Sequence, residues 1–61
     1  RESLIGEGSV IKDSILMQRA RIGKDVHLEH VILDKTVTIR DRTVLKGTKE
    51  EPIVIPKGSV I

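Results

Sequence analysis

The chain has 61 residues, of which eleven are basic and nine acidic, and its formal net charge is +2. It contains no Cys, Phe, Tyr or Trp. The missing cysteines exclude a disulfide framework and a thiolate metal site, and the missing aromatics remove the stacking surfaces of single-stranded nucleic-acid binders. We therefore expect no nucleic-acid partner. Because a single core of this size is marginal, we expect the chain to be a piece of a longer protein.

Nothing in the sequence directs the chain to a membrane. It opens on Arg1 with neither a charged-then-apolar leader nor an apolar run of about 18 residues. The absence of cysteine also fits a reducing compartment. We expect a cytoplasmic protein without a membrane partner.

A seventeen-residue unit organises the chain. Residues 22–38 overlay the segments before and after them when the numbering is shifted by 17. Within each unit, large aliphatic residues recur in steps of six, five and six. They are Ile5, Ile11, Leu16, Ile22, Leu28, Leu33, Ile39 and Leu45. A hexapeptide period with aliphatic anchors and frequent glycine is typical of a parallel β-helix.

Each repeat predicts a short strand followed by a tight turn. Val26 and Leu28 would point inward and His27 outward, because side chains alternate along a strand. Asp13 and His30 stand at the corners of the five-residue repeats, and both residue types tolerate left-handed backbone geometry. We predict an all-β, hexapeptide-repeat solenoid of about three 17-residue coils.

The coils are expected at residues 5–21, 22–38 and 39–55. The polar stretch 46–52 contains Pro52, which cannot donate to a strand ladder, so we expect it to leave the coil. Residues 56–61 would form a closing strand.

Outward residues fall into three predicted columns. The first holds Val10, His27, Val44 and Val60; the second holds Ile15 and Ile32; the third holds Leu4, Arg21, Thr38 and Val54. Stacked aliphatics form stripes that either are half-covered by neighbouring side chains or mark a subunit or domain interface. The candidate interface residues are Val10, Ile15, Ile32, Val44 and Val60.

Catalytic and metal-binding patterns are sparse. His27 should point outward while His30 sits at a corner, so convergence of the two imidazoles on one metal ion is not expected. We expect no catalytic residue, no metal site and no cofactor in this chain. A group of arginines either forms a solvated face or gathers into an effector phosphate site. Its members are Arg19, Arg21, Arg40 and Arg42.

Several runs resemble one enzyme family. The more specific ones are Leu-Asp-Lys at 33–35 and Leu-Lys-Gly-Thr-Lys-Glu at 45–50, with Pro52 and the run 55–61 after them. They are similar to the C-terminal end of bacterial glucose-1-phosphate adenylyltransferases (ADP-glucose pyrophosphorylases). Within that family the chain most resembles the regulatory-type glycogen biosynthesis proteins of Gram-positive bacteria. It departs from the family pattern at Arg40, where a glycine is expected after Ile39.

The resemblance implies a left-handed β-helix and a nucleotidyltransferase-like domain N-terminal to this chain. It further implies a non-catalytic module serving subunit assembly and allosteric regulation of ADP-glucose synthesis from glucose-1-phosphate and ATP. The expected partners are the protein's own N-terminal domain and other subunits, in a homo-oligomer or in a hetero-oligomer with the catalytic adenylyltransferase subunit.

Two alternatives stay open from the sequence. Hexapeptide repeats also occur in acyltransferases, so the chain could be a fragment of such an enzyme. The longer protein could also be an active adenylyltransferase in its own right, because fold and assembly residues say little about an active site located elsewhere.

Overall fold

The computed structural model describes residues 3–61, and these residues form nine short strands without a helix. No helix that could cross a membrane is therefore found among them. The strands are β1 (Leu4–Ile5), β2 (Val10–Lys12), β3 (Ile15–Leu16), β4 (Arg21–Ile22), β5 (His27–Glu29), β6 (Val31–Leu33), β7 (Thr38–Ile39), β8 (Val44–Lys46) and β9 (Ile53–Ile55).

The strands make three parallel sheets, each of which takes every third strand. Their orders are β1-β4-β7, β2-β5-β8 and β3-β6-β9. Leu4 pairs with Arg21 and Arg21 pairs with Thr38, so neighbouring rungs are seventeen positions apart. This register confirms the predicted all-β, hexapeptide-repeat β-helix. The left-handed winding stays a prediction. We refer to the outward surfaces of the three sheets, in that order, as the first, second and third faces.

The corners between faces are turned by residues with positive φ. Asp13 (φ 48°) and His30 (φ 51°) occupy the short-repeat corners, as predicted. The other corners use Gly8, Arg19, Asp25, Thr36, Arg42 and Gly58. Gly6 and Gly23 have a different reason to be glycine. A Cβ on Gly6 would lie 2.6 Å from the Gly23 carbonyl oxygen, so the approach of the next coil excludes a side chain there.

The core consists of inward residues from all three faces. The buried members are Ala20, Ile22, Val26, Leu28, Val31, Leu33, Val37, Ile39 and Ile55, and Ile11, Leu16, Leu45 and Ile53 pack against them. No buried polar or charged residue is found between residues 3 and 61. Burial is greatest in the second coil, because only that coil has a described coil on both sides.

Two inward serines connect the first coil to the second. Ser9 Oγ donates to the Gly23 carbonyl at 2.7 Å and accepts from the Val26 amide at 3.1 Å. Ser14 Oγ accepts from the Val31 amide at 3.1 Å. Their small size fits the coil interior, and their hydroxyls also replace a backbone acceptor for amides that would otherwise be unpaired.

The third coil is longer than the first two. Lys46 still pairs with Glu29 in the ladder, so the polar excursion begins at Gly47 and not at 46. The chain re-enters at β9, where Val54 pairs with Ile32, twenty-two positions earlier. The coil that starts at Ile39 therefore does not close at residue 55. It returns to the first face at Val60, which forms an isolated bridge with Thr38. The Arg40 amide also donates to the Ile61 carbonyl at 3.0 Å, so the expected closing strand forms only over its last residues.

Candidate functional site: the outward faces of the solenoid

The third face carries a continuous row of aliphatic side chains. Ile15 pairs with Ile32 and Ile32 with Val54, so the three residues stack on successive rungs about 4.8 Å apart. Ile15 and Val54 are exposed and Ile32 is half-buried. We call these three residues the aliphatic ridge. The exposed thioether of Met17, just beyond β3, extends the apolar surface at one end. This row joins two predicted interface residues, Ile15 and Ile32, with Val54. The sequence predicted Val54 in the column of Leu4, Arg21 and Thr38, and that placement is wrong, because Val54 pairs with Ile32.

The second face holds the other predicted aliphatic pair in a different setting. Val10 and Val44 lie on either side of His27 in one column. The half-buried imidazole separates the two valines, so they do not make a continuous apolar surface. Val60 was predicted to extend this column, and that prediction is wrong. Val60 lies on the first face against Thr38, because the excursion in the third coil shifts every later residue.

A second column on the second face is charged. Lys12, Glu29 and Lys46 occupy successive rungs, which places one carboxylate between two ammonium groups. His27 Nε2 is hydrogen-bonded to Glu29 Oε1 at 3.0 Å. That hydrogen bond is the main reason that the pKa of Glu29 is lowered, and the charges of Lys12 and Lys46 act in the same direction. The column is thus an ordered, water-exposed charge ladder.

The first face gathers the predicted arginines. Arg21, Arg40 and Arg42 line one hollow of about 630 Å³, together with the carboxylate of Asp41. Arg19 lines a neighbouring hollow, which it shares with Arg21. The structure thus brings three of the four arginines to one site, and Arg21 connects it to the fourth. The Asp41 carboxylate is already engaged, since its Oδ1 accepts from the Lys24 amide at 2.9 Å.

The two histidines do not form a common site. His27 lies in β5 on the second face, whereas His30 turns the next corner and its Nε2 lies 3.8 Å from Asp13 Oδ2. Across residues 3–61, no group of three His, Asp or Glu side chains is arranged to hold a metal ion. Each imidazole is instead placed beside one carboxylate.

Two features of these faces were missed from the sequence. The ladder of Lys12, Glu29 and Lys46 was detectable, because the three residues are seventeen positions apart and each stands two positions after an outward residue. Val54 was not assignable to the aliphatic ridge, because the seventeen-residue period fails across the excursion and no other sequence signal gives its length.

Comparison with known proteins agrees with the repeat and its register. A family model described as "GlmU-like, C-terminal hexapeptide" matches residues 1–60. Similar curated proteins include the glucose-1-phosphate adenylyltransferases of Bacillus thuringiensis (strain Al Hakam), Bacillus cereus (strain Q1) and Bacillus anthracis. Each is 34% identical over 56 residues, which cover 88% of this chain and 15% of the relative.

The chain thus corresponds to a small part of these relatives' length. No solved structure matches it. The family match covers nearly the whole chain, and it agrees with the three parallel sheets and the five- and six-residue steps between corners. The chain belongs to the GlmU-like C-terminal hexapeptide family.

Proposed function

We propose that this chain is the C-terminal β-helix module of a cytoplasmic glycogen biosynthesis protein, where it serves subunit assembly and allosteric regulation without carrying out chemistry. The reaction it would regulate is ADP-glucose synthesis from glucose-1-phosphate and ATP. The observation that carries the proposal is the 34% identity to glucose-1-phosphate adenylyltransferases over 88% of this chain. The longer protein would resemble the regulatory-type members of that group.

The aliphatic ridge is the best-suited packing surface for this role. Stable interfaces have an apolar centre from which charged residues are depleted. The ridge meets that description, whereas the second face combines separated valines with the charge ladder. We propose that the ridge packs against the protein's own N-terminal domain or a neighbouring subunit.

The arginine-lined hollow on the first face provides a candidate site for an anionic effector. Guanidinium groups bind phosphate oxygens in a bidentate manner, and three of them line this hollow. A phosphorylated metabolite is the ligand class that such a site would take. Replacing Arg40 with alanine should weaken the response to the effector without changing the basal rate of ADP-glucose formation.

The direct test is ADP-glucose formation by the full-length protein, alone and mixed with the catalytic subunit from the same organism. We expect little activity alone and a changed rate or effector response in the mixture. Activity of the protein alone would make it an enzyme with this chain as its regulatory part. A lack of effect in both assays would refute the glycogen proposal and favour the acyltransferase alternative.

A matched pair of variants assigns the packing surface. Val54 and Val44 are the same residue type in adjacent strands of the third coil, and they are 63% and 60% exposed. Val54→Asp, on the ridge, should weaken assembly or the altered response of the mixture. Val44→Asp, on the second face, should leave both unchanged. Light scattering distinguishes a lost subunit contact from a lost contact within one chain, because only the former lowers the molar mass.

A further inference from the structure

The corner between the first and second faces carries a second column of alternating charge. Glu7, Lys24 and Asp41 each stand two positions after the paired isoleucines of β1, β4 and β7, so they occupy successive coils. All three are exposed. We call these residues the corner column. Its charges run negative, positive, negative, whereas those of the charge ladder run positive, negative, positive along the same three coils.

The charged groups of both columns are available to a partner. Among residues 3–61, no ion pair involves Glu7 or any lysine of the two columns. The hydrogen bond between His27 and Glu29 uses only Oε1 of that carboxylate, and the Lys24 amide donates only to Oδ1 of Asp41. Each of these two carboxylates therefore keeps an oxygen atom that can accept from an ammonium group.

The spacing of the two columns restricts the kind of partner that fits them. Successive charges in each column are one rung apart, which is about 4.8 Å. Same-face side chains along an extended peptide are about 6.8 Å apart, so such a peptide falls out of step by about 4 Å at the third rung. Another stack of strands keeps the same spacing at every rung. This chain itself carries such a stack with the complementary order of charges, so a second copy is the partner that the two columns fit.

The positions of the two columns determine the symmetry of such a pair. They border the second face on opposite sides, since Glu7 comes before the outward Val10 in the first coil and Lys12 comes after it. A two-fold rotation about an axis parallel to the solenoid exchanges these sides and leaves the height of every rung unchanged. Each corner column would then face the other copy's charge ladder, with opposite charges on all three rungs. An axis parallel to the strands would set each column against its own kind, and like charges would meet.

We infer that two copies of this chain associate side by side through their second faces, about a two-fold axis parallel to the solenoid. Three ion pairs would form on either side of the axis, and Val10 and Val44, which are 44% and 60% exposed, would each meet their counterpart near it. The face is only three rungs tall, roughly 15 Å, so the contact belongs to the small and weak class of interfaces. It therefore links molecules that the ridge has already assembled, at protein concentrations above those of the mixing experiment. The inference holds whether or not the protein acts in glycogen synthesis.

Exchanging the charges of the first rung tests the ion pairs. Glu7 and Lys12 are exposed, and their side chains make no hydrogen bond or ion pair within residues 3–61, so substitution there spares the fold. Sedimentation velocity of the full-length protein over a wide concentration range measures its self-association. Glu7→Lys and Lys12→Glu should each weaken this association by about tenfold or more, because two attractive pairs become two repulsive ones.

The complementary combinations should restore the association. A chain carrying both substitutions again sets opposite charges against each other, and so does an equimolar mixture of the two single variants. Both should associate as the unsubstituted protein does. Equal association of all these proteins would overturn the inference. Weakening that neither combination restores would also overturn it, because Glu7 and Lys12 would then face something other than each other.

Cysteine cross-linking tests the two-fold axis. Only a residue close to that axis meets its own counterpart in the second copy, and Val10 is such a residue. In full-length protein without other cysteines, Val10→Cys should form disulfide-linked pairs under mild oxidation. Leu4→Cys is the control, because Leu4 is an exposed aliphatic residue on the first face. It should cross-link at least about tenfold more slowly, as its thiols meet only by random collision. Equal cross-linking of the two variants would overturn the proposed symmetry.

Discussion

Replacement of Gly23 by alanine is the most direct test of how closely the coils stack. A Cβ at Gly23 would overlap Asp41 Oδ1 and would lie 2.7 Å from the Asp41 backbone nitrogen. The side-chain oxygen can move, but doing so breaks its hydrogen bond with the Lys24 amide. The backbone nitrogen can move only if the third coil shifts. Gly23→Ala should therefore separate two coils locally.

The expected cost follows from three contributions. Forcing one extra carbon into a packed site costs about 1–3 kcal/mol, and the lost hydrogen bond adds about 1 kcal/mol. Alanine also reduces the conformational freedom of the unfolded chain, which raises the free energy of unfolding by about 0.4–1 kcal/mol. We expect Gly23→Ala to lower the free energy of unfolding by about 2–3 kcal/mol.

Gly58→Ala is the matched control. Gly58 has φ 77°, and a Cβ added to it would have no heavy atom within 4 Å, so alanine there meets conformational strain but no overlap. That strain lowers the free energy of unfolding by about 1–2 kcal/mol. The reduced freedom of the unfolded chain offsets part of this, as it does for Gly23→Ala, so the net loss is about 1 kcal/mol or less. Urea unfolding followed by far-ultraviolet circular dichroism suits a chain without Trp or Tyr. Equal losses for the two variants would refute the stacking explanation.

Three further predictions concern the core, the inter-coil hydrogen bonds and the charge ladder. Leu28→Ala, at a fully buried site, should lower the free energy of unfolding in urea by about 2–5 kcal/mol. Leu4→Ala should change it by no more than about 0.5 kcal/mol. Similar values for the two variants would contradict the assigned core. Ser9→Ala should lower the free energy of unfolding by about 1–3 kcal/mol, because the Val26 amide of the second coil loses its acceptor. Ser59→Ala should lower it by less, because only a hydrogen bond to the nearby Pro56 carbonyl is lost. The pKa of Glu29 is lowered by folding, so its contribution to stability is present above its ordinary pKa of 4.5 and is lost as the pH falls below that value. Glu29→Gln should therefore reduce the drop in melting temperature on acidification, and an unchanged pH profile would contradict this role.

The sheets and corners were predictable because their signals are local. An inward residue every five or six positions is enough to give the strand register within the first two coils. Asp13 and His30 could be assigned to corners because the shortened repeats fall there, and both have positive φ. The structural reason for Gly6 and Gly23 was not predictable in this way. The neighbouring coil leaves no room for a side chain at either position, and a single repeat does not reveal that contact.

The register of the third coil could not be predicted in the same way. A repeat fixes which residues face inward, but the length of an excursion depends on where the chain re-enters the sheet. Ile53, Val54 and Ile55 alternate correctly with either assignment, so their pattern is compatible with more than one face. Pairing of Val31 with Ile53 and of Leu33 with Ile55 selects the third face. This pairing places Val54 on the third face, and the next corner then brings Val60 to the first face.

This register also gives the excursion a role in forming the proposed packing surface. Only two stacked aliphatics, Ile15 and Ile32, arise from the regular coils of the third face. By delaying re-entry until Ile53, the excursion adds Val54 to that stack. The same delay moves Val60 to the first face, away from the valines of the second. An irregular loop therefore extends the continuous aliphatic row on one face and leaves the charge ladder on another, which is the asymmetry that a module packing through one side requires.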